Sequence, residues 1–192
     1  MIKLITQSIR QTILWTVVTG IAYPLVITVI AQLAFHDQAN GSLIVRDGNV
    51  VGSALIAQQF QTDKYFWPRP SAGGYATVPS GASNLGPTSA ALQSNVLANA
   101  AAIRTANKLP ADAPIPADLL FTSGSGLDPH ISPAAARLQV ARVAAARGVS
   151  ADSVGTLVEK FVEPPQWGFL GEARVNVLRL NLALDELGGK KS

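Results

Sequence analysis

The chain of 192 residues contains no cysteine. Without cysteine the protein has no disulfide, no thiol nucleophile and no thiolate ligand for a metal ion, so a folded domain must be held together by its core alone. Charged residues are also scarce, at 14% of the chain against roughly 25% in typical soluble domains, whereas hydrophobic residues make up 48%. This deficit of charge indicates that part of the chain lies outside water.

The segment without charge is residues 11–35, QTILWTVVTGIAYPLVITVIAQLAF. A helix needs about 20 apolar residues to cross a bilayer, and proline is tolerated in membrane helices. A cleavable signal peptide has a shorter apolar region of about 7–15 residues, and a buried core helix rarely runs so long without a charge. The sequence therefore predicts a transmembrane helix over residues 11–35.

Charges on either side of this segment predict its orientation. Lys3 and Arg10 precede it, and the next basic residue is Arg46. Because basic residues stay on the cytoplasmic side, we expect residues 1–10 to be a cytoplasmic tail and residues 36–192 to form one periplasmic domain. The chain is thus predicted to be a single-pass protein of a bacterial inner membrane, with membrane lipid as one partner.

Three small or hydroxyl-bearing residues share one face of the predicted helix. Thr12, Thr16 and Gly20 are spaced four residues apart, and such a face permits close helix–helix contact in lipid. The alternative is that these residues are merely tolerated in the membrane. We favour a packing face for a partner helix.

The sequence beyond residue 35 shows no signal for nucleic acid or for a bound cofactor. All 12 acidic residues and all but two of the 15 basic residues lie there, without a run of lysine or arginine for phosphate contacts. The phosphate-binding pattern G-x-x-x-x-G-K-[ST] does not occur, so no cofactor is bound by a recognisable motif.

The same region has a mixed pattern of strands and helices. Asp47-Gly48 is a hairpin turn signal between two short apolar runs, and residues 61–87 carry scattered proline and glycine that predict a long loop. Apolar periodicity and caps then predict helices. The first helix covers residues 88–107, and one of its faces carries Leu92, Val96, Ala100 and Ile103. The second runs from its N-cap Ser132 to Gly148. A third begins near Ser150 and has an apolar stripe made of Val154, Leu157, Val158, Phe161 and Val162, and a last segment begins as a strand and ends as a helix at Gly188. The predicted class is α+β.

The stretch SGSGLDPHISP, residues 123–133, contains the residue types of a Ser-His-Asp triad. Ser125, Asp128 and His130 supply them, but the G-x-S-x-G elbow that would expose the serine is missing. Two histidines in the whole chain are too few for an ordinary metal site. We therefore assign no catalytic residue and no metal ligand, and interpret the stretch as a turn in which Ser132 caps the next helix.

The aromatic run in the long loop is the candidate for contact with a partner protein. Tyr65, Phe66 and Trp67 are followed by Arg69, and aromatic residues and arginine are favoured in interface hot spots. The alternative, that these aromatic rings fill the core of the domain itself, is weighted equally.

Four motifs resemble one known family in the same order along the chain: YFWPRPSA, SGASNLGP, SGSGLDPHISPAAA and RVNVLRLNLALD. The family is the C subunit of the bacterial Kdp potassium-transporting ATPase, and the resemblance extends from the membrane segment to Asp185. It implies an accessory subunit with no catalytic centre of its own, in a complex with the A, B and F subunits that hydrolyses ATP to import potassium.

The resemblance also implies a catalytic chaperone that raises the ATP affinity of the B subunit, so ATP belongs to the complex rather than to a motif of this chain. Two other functions remain open from the residues. One is a membrane-anchored periplasmic hydrolase that uses Ser125 and His130. The other is a ligand-binding module that offers potassium the oxygens of SGASNLGP.

Overall fold

The computed structural model describes residues 1–188 of the chain. Its contacts divide it into two compact units, Met1–Ser53 and a larger unit that begins at Ala54. The first unit holds a long apolar helix and a hairpin. The second holds four helices and a three-stranded sheet, so the mixed α and β content predicted from the sequence is confirmed.

The long helix is made of α1 (Ile2–Val17), one π-helical turn (Val18–Ala22) and α2 (Tyr23–Ala34). It is apolar and long enough to span a membrane, and none of its most apolar window is buried. It begins at Ile2, so most of the segment predicted as a tail is helical as well. The π turn ends two residues before Pro24, which lacks a backbone N–H, and a widened turn accommodates that loss.

A short helix and a hairpin complete the first unit: α3 (His36–Ala39), β1 (Leu43–Arg46) and β2 (Asn49–Ser53). The two strands pair antiparallel. Asp47 and Gly48 both have positive φ, +51° and +77°, which is the geometry of a type I′ two-residue turn. The predicted hairpin is therefore confirmed, together with the reason for its Asp-Gly pair.

The helices and strands of the second unit are α4 (Ala90–Asn107), a 3₁₀ turn (Ala117–Leu119), β3 (His130–Ile131), α5 (Pro133–Arg147), α6 (Ala151–Lys160), β4 (Val162–Glu163), β5 (Arg174–Asn176) and α7 (Val177–Gly188). β5 lies between β3 and β4, and both neighbours are antiparallel to it. The sequential helices pack side by side, α4 on α5, α5 on α6 and α6 on α7.

Serine caps fix where three of these helices begin. The hydroxyl oxygens of Ser89, Ser132 and Ser150 each accept a backbone N–H of the first turn that follows. Gly148 closes α5 in the left-handed conformation with φ +64°, as expected of a C-terminal glycine. The predicted helix boundaries in this region are confirmed to within two residues.

The core of the second unit is small and aliphatic around one aromatic ring, Phe66, which is fully buried. The stripe predicted for α6 supplies two fully buried residues, Val154 and Val158. The stripe was predicted as one helix, but α6 ends at Lys160 and Val162 begins β4. The reason is a long-range pairing, because Val162 lies opposite Val175 in the sheet.

One further difference from the prediction concerns the short strand β3. His130 was expected in a loop, but it lies in β3, opposite Asn176 of β5. A strand of two residues is too short to show an alternating pattern, so neither β3 nor β4 has a local signal. Residues 61–87 contain no helix or strand, as predicted.

Candidate functional site

Two buried amide side chains hold the aromatic segment, residues 65–67, against the helices. The Phe66 N–H donates to Asn181 Oδ1 at 2.8 Å, and Asn181 Nδ2 donates back to the Phe66 carbonyl at 3.0 Å. Gln139 makes the same two-way contact with the backbone of Trp67, at 2.7 and 3.2 Å. Because both amides are buried, each replaces the strand partner that an extended backbone needs.

Arg142 of α5 closes the other side of this segment. Its guanidinium donates to the carbonyl oxygens of Asp63 and Tyr65, at 2.9 and 3.1 Å, and lies 4.5 Å from the centre of the Trp67 ring. Its side chain is only 3% exposed. Burial lowers the pKa of Arg142 to about 10, an effect that Asp63 partly opposes, so the group stays cationic at neutral pH. The positive charge of the guanidinium is stabilised mostly by hydrogen bonds to carbonyl oxygens.

The four interface candidates therefore lie in different environments. Phe66 is fully buried and belongs to the core, which favours the alternative interpretation for that residue. Tyr65, Trp67 and Arg69 are partly buried, and each already has a partner within the domain. Contact of these three residues with another protein stays a prediction.

Arg69 instead reaches the stretch that resembled an active site. Its Nη1 lies 2.9 Å from Asp128 Oδ2, and Asp128 Oδ1 accepts the backbone N–H of His130 at 3.0 Å. Burial raises the pKa of Asp128, but hydrogen bonds from His130 and Arg69 and the charge of Arg69 outweigh burial and lower it to about 2. Asp128 is therefore an anchored carboxylate at any physiological pH.

A cleft of about 540 Å³ opens beside this pair. Its polar lining residues are Arg69, Asp118, Asp128, His130, Ser132, Glu172 and Arg174. Many of these groups pair with neighbours. Asp118 accepts the backbone N–H of Ser132 at 2.6 Å and its hydroxyl at 3.1 Å, while Arg174 lies 3.1 Å from Glu163. The cleft carries charges of both signs. Most of their contacts are with residues at the start of α5 and in the sheet.

The arrangement of Ser125, Asp128 and His130 is that of a turn. Ser125 Oγ accepts the N–H of Leu127 at 3.0 Å, and across residues 1–188 the structure gives no hydrogen bond between Ser125 and His130. His130 Nδ1 lies 3.6 Å from Asp128. Within the same residues no group of three or more histidine, aspartate or glutamate side chains is placed to hold a metal ion.

Two of the motifs meet at Gly126. A Cβ at this position would lie 2.9 Å from the carbonyl oxygen of Gly81, which belongs to SGASNLGP. Gly126 also has φ +72°, a backbone conformation that residues other than glycine rarely adopt. The Ser123 N–H donates to the Pro70 carbonyl at 3.2 Å, so YFWPRPSA is tied to the same place. Three of the four motifs that carry the resemblance thus form one interlocked loop cluster.

This cluster accompanies a match over nearly the whole chain. The family model described as KdpC, the K⁺-transporting ATPase c chain, matches residues 5–186. The chain belongs to the KdpC family. The resemblance indicated by the four motifs is therefore confirmed.

Individual KdpC relatives match this chain over most of their length. A potassium-transporting ATPase KdpC subunit of Rhodospirillum rubrum is 57% identical over 174 residues, 89% of this chain and 89% of the relative. The KdpC subunit of Methylococcus capsulatus is 50% identical over 191 residues, 97% of this chain and 100% of the relative. That of Paraburkholderia phytofirmans is 53% identical over 175 residues, 90% and 91% of the two chains.

The candidate packing face of this KdpC chain lies on the long helix. Thr12, Thr16 and Gly20 are exposed, with the first two in α1 and Gly20 in the π turn. A Cβ at Gly20 would stand 4.0 Å from Thr16 Cγ2, an ordinary contact distance. The face is thus open along the helix, and its use by a partner helix stays a prediction.

One exposed feature of this KdpC chain lies outside the predicted contact residues. Between β4 and β5 the chain makes a narrow loop, residues 166–170, which we call the apolar tip. Trp167 is 77% exposed and Phe169 is 74% exposed, more than any aromatic residue of the segment 65–67. Its sequence signal is the uncharged run PPQWGFLG, residues 164–171, between the predicted third helix and the last segment.

Proposed function

We propose that this chain is a single-pass, non-catalytic accessory subunit of an ATP-driven potassium import complex, assembled with the A, B and F subunits in a bacterial inner membrane. The observation that carries the proposal is the match to the K⁺-transporting ATPase c chain over residues 5–186. One helix that is apolar and long enough to cross a membrane supports it.

The proposed topology follows from charge on either side of that helix. Lys3 and Arg10 lie at its start, and His36 and Asp37 follow its end. Since basic residues are retained in the cytoplasm, the N-terminus is cytoplasmic and the second unit is periplasmic. The cysteine-free chain permits a direct test. A membrane-impermeant maleimide should label Leu97→Cys in intact spheroplasts and should label Gln7→Cys only after lysis. The reverse pattern would overturn the orientation.

The proposal includes that this chain has no catalytic centre of its own. It is supported by Ser125, whose hydroxyl accepts a backbone N–H within its turn, and by the pairing of Asp128 with Arg69. The test is an assay of hydrolytic activity in the purified chain. Activity in the wild type that is lost in His130→Ala would contradict the proposal.

The effect on ATP binding is proposed as a long-range one. A periplasmic unit cannot touch cytoplasmic ATP, so any rise in the ATP affinity of the B subunit passes through the membrane helix or through other subunits. Such coupling requires two states of the complex that this chain contacts differently. No site for ATP on this chain is part of the proposal.

Purification of the complex tests assembly and the effect on ATP together. The complete complex and one expressed without this chain are extracted from membranes and assayed for potassium-dependent ATP hydrolysis. We expect the chain to co-purify with the other subunits, and its omission to lower the yield of intact complex and raise the KM for ATP. Recovery of the chain free of the other subunits from membranes that contain all of them would refute the accessory role, whereas an unchanged KM would refute only the chaperone role.

A further inference from the structure

The apolar tip is a closed, self-supporting loop. The N–H groups of Gln166 and Leu170 each donate to the carbonyl of the other residue at 2.9 Å, and the Gly168 N–H donates to the Pro165 carbonyl at 2.9 Å. These bonds all lie within residues 165–170, so the loop is closed without a partner from any helix. The side chains of Trp167 and Phe169 therefore project from a fixed frame, 77% and 74% exposed.

The backbone of the tip is held in an unusual conformation. Trp167 has φ +55°, a region that bulky residues seldom occupy. Backbone held in sparsely populated conformations is concentrated at functional sites, because the surrounding structure must maintain it. A preorganised loop also loses little conformational entropy on binding, which favours a shape-specific contact.

Charges near the tip argue for a protein rather than a lipid surface. Residues 164–171 carry no charge, so the tip lacks the lysine and arginine that attract anionic headgroups. Arg174 and Arg179, at the base, both face Glu163, at 3.1 and 3.9 Å. Glu172 next to the tip is exposed and has no ion-pair partner within the described residues. An acidic group beside an apolar knob is suited to a basic side chain at the rim of a protein pocket.

We propose that the apolar tip is a docking knob that inserts Trp167 and Phe169 into an apolar pocket, with a basic side chain at its rim, on another subunit of the same potassium-transporting complex. The proposal rests on the accessory function proposed above and adds the surface that makes the contact. Tryptophan is among the residues most enriched at the centres of such interfaces. Leu170, 45% exposed, widens the apolar contact.

Cysteine labelling measures whether the tip is covered. In a chain without cysteine, Gln166→Cys places one thiol on the tip and keeps both aromatic rings, and Leu97→Cys places one on the 63%-exposed Leu97 of α4 as a matched control. Labelling by a maleimide polymer is followed as a band shift, for the chain alone in lipid nanodiscs and for the purified complex. We expect the rate at Gln166→Cys to fall at least tenfold in the complex, and the rate at Leu97→Cys to change less than threefold.

Two outcomes would overturn the docking proposal while leaving the accessory function intact. The first is equal labelling of Gln166→Cys in the complex and in the chain alone. The second is protection that is already complete in nanodiscs without other subunits, which would show that the tip is covered by lipid. Failure of the wild-type chain to co-purify would instead count against the accessory function itself.

A double substitution tests whether the covered tip contributes to affinity. We expect Trp167→Ser with Phe169→Ser to reduce the amount of chain retained in the complex at least fivefold after washing, without shifting the thermal unfolding of the chain alone. The matched pair, Val78→Ser with Leu97→Ser, removes two exposed apolar side chains elsewhere and should leave retention unchanged. Full retention of the tip variant would contradict the proposal.

Discussion

The aromatic segment, residues 65–67, and the apolar tip, residues 166–170, are similar in composition and opposite in environment. Phe66 is 0% exposed, whereas Phe169 is 74% exposed. The difference comes from how each backbone is satisfied. The segment depends on Gln139 and Asn181, which are distant in sequence, while the tip closes its hydrogen bonds on itself. Aromatic content alone therefore does not distinguish a core residue from an exposed one.

The largest expected effect is the removal of the buried ring. Phe66→Ala should lower the free energy of unfolding by about 3–5 kcal/mol, since it deletes a large side chain from a filled core. Phe169→Ala deletes the same atoms from an exposed loop and should change it by less than about 0.5 kcal/mol. Denaturant unfolding of the full chain in detergent, followed by circular dichroism, measures both. Equal losses would refute the contrast between the two regions.

Removal of the buried guanidinium should come next. Arg142→Met keeps the aliphatic bulk but leaves the carbonyls of Asp63 and Tyr65 without this donor. The Gln139 oxygen keeps the Trp67 N–H and loses its bond from Arg142. We expect a loss of about 3 kcal/mol by the same unfolding measurement. The matched control is Arg137→Met on the same helix, whose partner Glu159 is exposed, and its effect should be much smaller. A similar loss in both variants would show that Arg142 does not hold the segment.

A pair of glycines sharpens the comparison at the level of backbone. Gly126 and Gly168 both have positive φ, +72° and +84°, but only Gly126 has a neighbouring carbonyl in the way of a Cβ, at 2.9 Å. Gly168→Ala should cost about 1 kcal/mol for the conformation alone. Gly126→Ala should cost about 1–3 kcal/mol more, since the Gly81 segment must move. Thermal unfolding of both variants measures the difference in stability. Equal shifts in unfolding temperature would mean that the loop around Gly81 moves aside without a cost in free energy.

The smallest expected effect is the loss of stability at acid pH that comes from Asp128. The folded-state pKa of Asp128, about 2, lies below the ordinary value of 3.8, so its ionised form stabilises the fold. That stability is fully present above about pH 4 and is lost as the pH falls toward 2. Unfolding midpoints between pH 5 and 2 should therefore decline less for Asp128→Asn than for the wild type. The tip has no titratable side chain, and amide exchange there should not follow this decline.

Local signals in the sequence predicted most of the helices and the hairpin. Ser132 and Ser150 cap the helices that they precede, and Asp47-Gly48 makes the turn that its residue types favour. These features depend on neighbours within a few residues, where capping and turn chemistry act. The strand and the helix that follow Arg174 were predicted from apolar periodicity, which is also a local signal.

Features that depend on distant residues were not predictable. β3 and β4 exist because His130 lies opposite Asn176 and Val162 opposite Val175, and neither pairing leaves a local pattern. Gln139 and Asn181 have no sequence feature that sets them apart from ordinary polar residues of α5 and α7. The pair of Arg69 and Asp128, which defines one wall of the cleft, joins residues 59 positions apart.

The junction of β5 and α7 has a mechanical consequence. Asn176 ends the strand and Val177 begins the helix, with no residue between them to serve as a hinge. Asn176 also accepts the Arg179 N–H and donates to the Ala54 carbonyl, which stiffens the junction from both sides. The strand that follows the apolar tip is therefore joined, without an intervening loop, to the helix whose Asn181 holds the backbone of Phe66.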